Sequence, residues 1–285
     1  ATTLYKSSAL SVGGAALRRA RQAFGQNEDM CELTEQVIFT EPYGKADNNH
    51  WTTPQLDDVV GQIQSDAALK RAVNALKEKF MTEGQALLHG DLHTGSLMCT
   101  ETTTFAIDNE FAFYGPMGFD VGLFFANLLL SYFSQRGWAD FKGGYRSTQA
   151  AWLLDTFDST WTVFEKRFLE QWNEQGVRDD CGGLSPAILF GAGVADGANA
   201  LKAHQEAYMK QIWEDSLGFA GAEMIRRIIG IAHVADLDKI PDADIRARCE
   251  RAALMCGREL MLNAKKLTPA SIVDVVKSRE LAVFA

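Results

Sequence analysis

His89-Gly90-Asp91-Leu92-His93-Thr94-Gly95-Ser96, followed by Ile107-Asp108-Asn109-Glu110, is the densest polar constellation of the chain. Around it, short apolar runs alternate with turns rich in Gly, Asp and Thr: Ala86-Leu87-Leu88, Leu97-Met98-Cys99, Thr104 to Ile107 and Phe111 to Phe113. Apolar runs of three or four residues bounded by turn formers predict short strands and tight loops. Elsewhere the apolar spacing is helical. The expected fold class is therefore α+β and predominantly helical, with a small β insert at about residues 86–113 that carries the polar loop.

An aspartate on a tight loop between short apolar runs can be held near a substrate hydroxyl, and a D-x-E pair at a strand end can offer two oxygen ligands to Mg²⁺. Phosphoryl transfer divides its labour in this way. Asp91 would orient the nucleophile and accept its proton, while Asp108 and Glu110 would act through the metal on the phosphate oxygens. Two other readings of the same residues stay open. A turn aspartate can simply bond its own backbone, and His89, Asp91 and His93 could share one face of a strand as ligands of a metal hydrolase. Gly90 and Gly95 favour a loop over that strand.

Working outward, Val59, Ile63, Leu69, Val73, Leu76 and Phe80 predict one helix, capped at its start by Asp57 or Asp58. A second is expected from Asp120, whose side chain would cap it after the Gly115-Pro116-Met117-Gly118 turn, to about Gln135. Its apolar stretch from Val121 to Phe133 is interrupted by Asn127 and Ser131. It falls short of the ~20 residues of a membrane span and reads as a buried helix. Phe157, Trp161, Phe164, Phe168 and Trp172 share one helical face, a core stripe. Further helices are expected around Ala198 to Trp213, Ala220 to Val234, Ala243 to Lys266 and Ser271 to Val276. No repeat or linker divides the chain, so residues 1–285 read as one domain.

Arg226 and Arg227 sit inside Met224-Ile225-Arg226-Arg227-Ile228-Ile229-Gly230, an otherwise apolar run. Two guanidinium groups there need anions. Acids such as Glu223 or Asp215 would make the pair structural, whereas a transferred phosphoryl group would make it functional. His233 reads as a packed or capping histidine.

Composition narrows the classes. With 28 Lys and Arg against 37 Asp and Glu the net charge is −9, which lacks the basic footprint of phosphate-backbone binding. At 47% hydrophobic and 23% charged the chain is not disordered. Cys31, Cys99, Cys181, Cys249 and Cys256 are irregularly spaced with no C-x-x-C, which excludes a disulfide framework or zinc ribbon and fits a reducing compartment. No basic and then apolar segment opens the chain, so the cytoplasm is the expected location.

The loop His89 to Ser96, the stretch Glu110-Phe111-Ala112-Phe113-Tyr114-Gly115-Pro116-Met117-Gly118-Phe119-Asp120, and Asp215-Ser216-Leu217-Gly218-Phe219 through Arg226-Arg227 to Ala232-His233-Val234 resemble the methylthioribose kinase family. Leu33-Thr34-Glu35-Gln36-Val37 and Trp51-Thr52-Thr53-Pro54 resemble it too. H-G-D-L-H alone marks only the wider group of choline and aminoglycoside kinases. The resemblance implies a protein-kinase-like C-terminal lobe of the aminoglycoside phosphotransferase superfamily. It implies transfer of the ATP γ-phosphoryl group to the 1-hydroxyl of 5-methylthioribose in methionine salvage, with ATP and Mg²⁺ required, by a homodimer. Asp91 would be catalytic and touch substrate, Asp108 and Glu110 would hold the metal and through it ATP, and Arg226 and Arg227 would lie at the sugar and phosphate site.

Ser96 stands where the broader kinase pattern has a metal-binding Asn, and Asn109 replaces the proline more usual between the two acids. Family members also carry an N-terminal lobe with a Gly-rich loop and a phosphate-binding lysine. Nothing before Asp91 has that pattern. The expectation is a partial chain that turns over little by itself. The alternatives are a non-catalytic kinase-like remnant, or a choline- or aminoglycoside-type kinase. An acidic pocket would suit those cationic substrates, whereas an arginine pair suits a sugar becoming a phosphate ester.

Overall fold

The computed structural model describes residues 1–24, 27–139, 147–178 and 183–284; Cys181 lies outside the described residues. Helices α1 (Thr2–Ser7), α2 (Ala9–Val12), α3 (Gly14–Ala23) and α4 (Glu28–Phe39) lead to α5 (Asp57–Ser65) and α6 (Ala67–Thr82). Four strands follow: β1 (Ala86–Leu88), β2 (Leu97–Cys99), β3 (Thr104–Ala106) and β4 (Phe113–Gly115). The rest is helical, with α7 (Met117–Ser134), α8 (Ser147–Gln175), α9 (Ala187–Phe190), α10 (Gly197–Ile229), α11 (Ala235–Asp238), α12 (Ala243–Asn263) and α13 (Pro269–Phe284). Three of the four short apolar runs seen in the sequence are β1, β2 and β3; the fourth, Phe111 to Phe113, is displaced, because the Ala112 amide closes a turn on the Asn109 carbonyl at 3.1 Å and β4 starts only at Phe113. The strands form two separate antiparallel pairs, with Leu87 of β1 opposite Tyr114 of β4, and Met98 of β2 opposite Phe105 of β3.

The core is centred on α7, which is long and apolar enough to cross a membrane by length and composition, but is 83% buried by its own neighbours. It crosses α10 at very close range. A Cβ on Gly118 would come within 2.7 Å of the Asp215 Cβ, and one on Gly122 within 2.6 Å of the Ser216 carbonyl oxygen. Beside that crossing, Phe80 of α6, Phe113 of β4, Phe119 of α7 and Phe219 of α10 interlock, with centroids 4.7 Å apart for Phe80–Phe113, 5.0 Å for Phe80–Phe119 and 5.3 Å for Phe119–Phe219. Each fully buried Phe contributes roughly 1.5–3 kcal/mol. This cluster fixes the strands to the helices. The stripe Phe157, Trp161, Phe164, Phe168 and Trp172 is buried along α8, as its spacing predicts.

Several helix boundaries differ from the expected ones. The helix from Val59 to Phe80 is two, because Asp66 takes an extended backbone between α5 and α6. Its carboxylate caps α6, accepting from the amides of Ala68 and Leu69 at 2.9 and 3.0 Å, and also binds Arg258 at 2.8 Å. Asp57 and Asp58 lie in the first turn of α5 without capping it. The helices expected around Ala198 to Trp213 and Ala220 to Val234 are a single 33-residue α10 that ends at Ile229. The polar residues between them are satisfied without breaking the helix: Asp215 binds Lys79 of α6 at 2.9 Å, and Ser216 donates back to the Ile212 carbonyl of its own helix at 2.6 Å. Towards the C-terminus, α12 stops at Asn263 before a short 3₁₀ turn, and α13 runs to Phe284, well beyond Val276.

Asp120 is the most instructive departure. α7 begins at Met117, with Pro116 at its N-cap, so Asp120 lies inside the first turn. Only 4% exposed, it reaches across to the turn after β1, accepting from the amides of His89 at 2.7 Å and Gly90 at 3.0 Å. Burial pushes its carboxyl up, against the pull of those two donors. Asp120→Asn keeps the shape but turns an NH₂ group toward an N–H donor. We expect it to lose about 1–3 kcal/mol in urea denaturation.

α12 carries a second buried acid. Glu250 is 3% exposed, and its Oε2 has no hydrogen-bond partner. Its carboxyl hydrogen-bonds Thr52, whose hydroxyl also accepts from Arg246 Nε at 2.9 Å. Burial raises this carboxyl from the ordinary 4.5 to about 7. The folded value lies above the unfolded one, so this group's stabilisation is complete below the unfolded value and is lost as pH rises through the folded one. Glu250→Gln should therefore be more stable than the parent at pH 8, by roughly 3 kcal/mol, and no more stable at pH 4. Chemical denaturation at the two pH values checks this.

Candidate active site

The polar loop is shaped from below by Asp120 and from the side by Phe111. Gly90 has a φ of +86°, and a Cβ there would strike the Phe111 carbonyl oxygen at 2.0 Å. Only glycine takes that conformation at that distance. His89 then braces the loop, its Nε2 donating to the Ile107 carbonyl at 2.8 Å and its Nδ1 accepting from the Asp91 amide at 3.3 Å. The hydrogen bonds assign the proton to Nε2. The same ring thus ties the Asp91 turn to the segment that leads into Asp108.

The Asp91 carboxylate is part-exposed and faces two cationic or donor groups. His93 Nε2 lies 3.4 Å from Oδ2, and Arg227 Nη2 lies 3.7 Å from Oδ1. His93 is itself oriented by the Gly95 amide, which donates to its Nδ1 at 3.0 Å. Burial acts to raise the Asp91 carboxyl, but His93, Arg227 and Arg226 outweigh it and hold the group below the usual carboxylate range. Asp91 is therefore a charged acceptor at neutral pH. Ser96, buried, donates its hydroxyl to the Asp91 carbonyl at 3.0 Å. This bond closes the loop.

The arginine pair is held by one acid. Glu223, with no exposed surface, takes Arg226 through two bonds, Nε to Oε2 at 3.0 Å and Nη2 to Oε1 at 2.8 Å, and takes Arg227 Nε at 2.6 Å. Burial would raise its carboxyl, yet the two guanidinium groups hold it below the ordinary glutamate value. One carboxylate between two guanidiniums leaves a net positive charge at this end of α10. The two arginines share Glu223 but differ in their other contacts. Arg226 is 7% exposed and committed to Glu223, while Arg227 also donates Nη1 to the Ala232 carbonyl at 2.9 Å and turns Nη2 toward Asp91. Asp215, the other candidate partner, belongs to Lys79.

Asp108 and Glu110 lie on the next turn. Asp108 has a φ of +65°, a left-handed conformation that aspartate tolerates better than most residues. Both side chains are exposed, and among the described residues neither carboxylate takes a protein cation. The turn is anchored from outside by Asn27, whose Nδ2 donates to the carbonyls of Glu110 at 2.9 Å and Ala112 at 3.0 Å. Two hard oxygen donors with no protein counter-ion fit Mg²⁺, which is held by one or two carboxylates plus phosphate oxygens and water. The structure brings Asp91, His93, Arg226 and Arg227 together. It links Asp108 and Glu110 to them through the His89–Ile107 bond, without contact between the carboxylates.

His89 and His93 spend their ring nitrogens on the loop itself, and among the described residues no three His, Cys, Asp or Glu side chains gather as a metal site. The metal-hydrolase reading of His89, Asp91 and His93 is not supported. Sequence reasoning missed Asp120, assigned to a cap, and Asn27 and Glu223 as organisers of the two halves. Glu223 was named only as one possible partner, and its spacing of three and four residues from the arginines was the available signal. Beside the loop opens a cleft of about 1350 Å³, bordered by His89, Leu97, Asn109, Asp120, Trp152 and Val163.

Residues 13–155, which include Asp91, Asp108 and Glu110, match the phosphotransferase enzyme family. The chain is 43% identical over 261 residues to Methylthioribose kinase 1 of Oryza sativa subsp. japonica, covering 92% of this chain and 59% of that protein. It is 42% identical over 266 residues to the methylthioribose kinase of Escherichia coli O45:K1, covering 93% and 61%. With the counterpart of Yersinia enterocolitica the identity is 37% over 250 residues, covering 88% and 57%. The chain spans about three fifths of the length of the curated relatives it matches. With the kinase-like loop, the paired acids and the arginine-bearing helix in place, the chain belongs to the phosphotransferase enzyme family, and within that family it resembles the methylthioribose kinases.

Proposed function

We propose that the protein to which these residues belong transfers the γ-phosphoryl group of ATP to the 1-hydroxyl of 5-methylthioribose, a step of methionine salvage. The observation that carries this reading is the Asp91–Arg227 arrangement, a charged carboxylate and a guanidinium 3.7 Å apart on a loop fixed by Asp120 and Gly90. The relatives described above bear the name methylthioribose kinase, which supports the substrate class.

Asp91 accepts a hydrogen bond from the sugar hydroxyl and aims its oxygen at phosphorus. Held below the usual carboxylate range, it is a weak base. Its main work is orientation, and the proton moves onto its carboxylate as the new oxygen–phosphorus bond forms and the bond from the γ-phosphorus to the bridging oxygen breaks, releasing ADP. Arg227, backed by Arg226, neutralises charge on the transferred group. Asp108 and Glu110 are the residues that would hold Mg²⁺, and the ion would supply positive charge to offset that of the nucleotide's phosphates. Met98, Phe105 and Ile107 are 60%, 60% and 41% exposed. Met98 and Phe105 are cross-strand partners and Ile107 lies two residues beyond, so all three share one face of the β2–β3 hairpin. An exposed apolar face beside the two acids suits the adenine of the nucleotide.

The test is ATP-dependent phosphorylation of 5-methylthioribose, measured on the chain and on the longest form its gene encodes, each beside Asp91→Asn. We expect kcat/KM to fall by about 10²–10⁴-fold in the variant. Phosphorylation of choline or an aminoglycoside in its place, or no transfer in either form, would overturn the reading. In the active form, His93→Ala should move the acid limb of the pH–kcat/KM profile to higher pH. Removing the imidazole takes away the interaction that does most to keep the Asp91 proton off.

A further inference from the structure

Directly after the arginine pair, α10 ends and the chain turns through residues 230–234. The turn contains Ala232 at a φ of +58°. A non-glycine residue holds that left-handed conformation only where its surroundings over-determine it. The turn also carries the Ala232 carbonyl that accepts from Arg227 Nη1 at 2.9 Å. Whatever fixes the turn therefore fixes the second anchor of Arg227, the first being Glu223.

A pair of histidines distant in sequence packs against this turn. The rings of His50 and His233 stack with centroids 4.0 Å apart and planes 9° from parallel. His233 is nine-tenths buried, and its Nε2 has no hydrogen-bond partner. His50 is exposed and lies over it as a cover. The His50 amide donates to the Ile229 carbonyl at 2.9 Å, at the last residue of α10. The His50 Nδ1 is 3.1 Å from the Asn48 carbonyl, which orients the ring. The segment is anchored again one turn on, where Thr52 meets Arg246 and Glu250 of α12. The charged groups around the stack are Asp238 of α11, 3.5 Å from His233 Nδ1, then Arg227 of α10 beyond the Ala232 carbonyl, and Arg246 and Glu250 of α12. None of these acids or bases lies between the two rings. The contact is a face-to-face packing of two imidazoles, and burial and His50 both favour neutral His233.

We propose that His50 and His233 are positioning residues for the acceptor side of the phosphotransfer site: their stacked rings lock the 230–234 turn so that the Ala232 carbonyl aims the Arg227 guanidinium at Asp91. The proposal rests on the phosphotransfer reading of Arg227 and Asp91, and it adds a residue from the segment before α5 to a site otherwise built from the polar loop and α10. His50 touches no reacting atom. It acts through His233, the turn and Arg227, in that order.

Two variants at the exposed position separate this role from a merely structural one. His50→Ala removes the cover, whereas His50→Phe keeps a flat ring over His233 and the backbone bond to Ile229. The substrate-free readout is the Arg227 guanidinium in ¹⁵N NMR, assigned by its disappearance in Arg227→Lys. Held by both Glu223 and Ala232, it should show slow rotation about the Nε–Cζ bond in the parent and in His50→Phe, and fast rotation in His50→Ala. In the kinase assay His50→Ala should raise KM for 5-methylthioribose and lower kcat/KM ~10- to 100-fold, leaving KM for ATP unchanged. His50→Phe should restore both values. An Arg227 signal unchanged in His50→Ala, or equal effects on the two substrates, would overturn the positioning role. If the parent itself does not phosphorylate 5-methylthioribose, the proposed function fails, and the NMR comparison still decides whether the histidine pair holds Arg227.

Discussion

One dehydrated carboxylate connects the polar loop to the helical core. Asp120 stands in the first turn of α7 and holds the amides of His89 and Gly90. Its own helix is fixed by the close crossing with α10 and by the Phe80–Phe113–Phe119–Phe219 cluster. The position of the loop therefore inherits the rigidity of the core. Asp91, one residue further, is a part-exposed group on a buried foundation. Because both amides would otherwise be left without partners in an apolar setting, their pairing with Asp120 is favoured over any looser arrangement of the turn.

The second organising acid works by charge. Glu223 has no access to water and would be prohibitively costly alone, but it lies between two guanidinium groups. The cluster carries one more positive charge than negative. That surplus is directed at Asp91, whose carboxyl it helps to hold in the charged form. Arg226 and Arg227 thus differ in kind although they are neighbours in sequence. On a helix, adjacent residues point about 100° apart, so one guanidinium turns into the core toward Glu223 while the other lies at its edge and can reach both the acid and the loop.

Much of this was legible in the chain. Three of the four apolar runs between residues 86 and 113 became strands, the fourth strand starting where the last run ends, the aromatic stripe of α8 was buried, and Asp91 landed on a tight loop beside the acidic turn of Asp108 and Glu110. Such features depend on neighbours a few residues away. The misread positions share a different trait. Asp66 looked like one polar residue on a helical face and proved to be the cap that divides two helices. Asp215 and Ser216 fall between two expected helices and proved to be buried in one long helix, with Asp215 paired to Lys79 of α6 and Ser216 bonded to the Ile212 carbonyl of its own helix. Asp120 looked like a cap for its own helix and proved to serve the turn after β1. A short polar residue near a helix end offers the same local signal whether its partner is its own backbone or a distant strand.

The sequence by itself determined the mostly helical class with a small β insert, the placement of β1, β2 and β3, the acidic net charge, and the identity of the loop carrying Asp91. All of these follow from local periodicity, turn chemistry and composition. The tertiary structure alone decided which acid holds which base, that Asp120 anchors the loop, that Glu223 divides the arginines into an inner and an outer member, and that His50 covers His233. Each of those partners is fixed by burial. Whether a polar side chain must find a partner depends on how much water surrounds it, and that is set only when distant segments pack together.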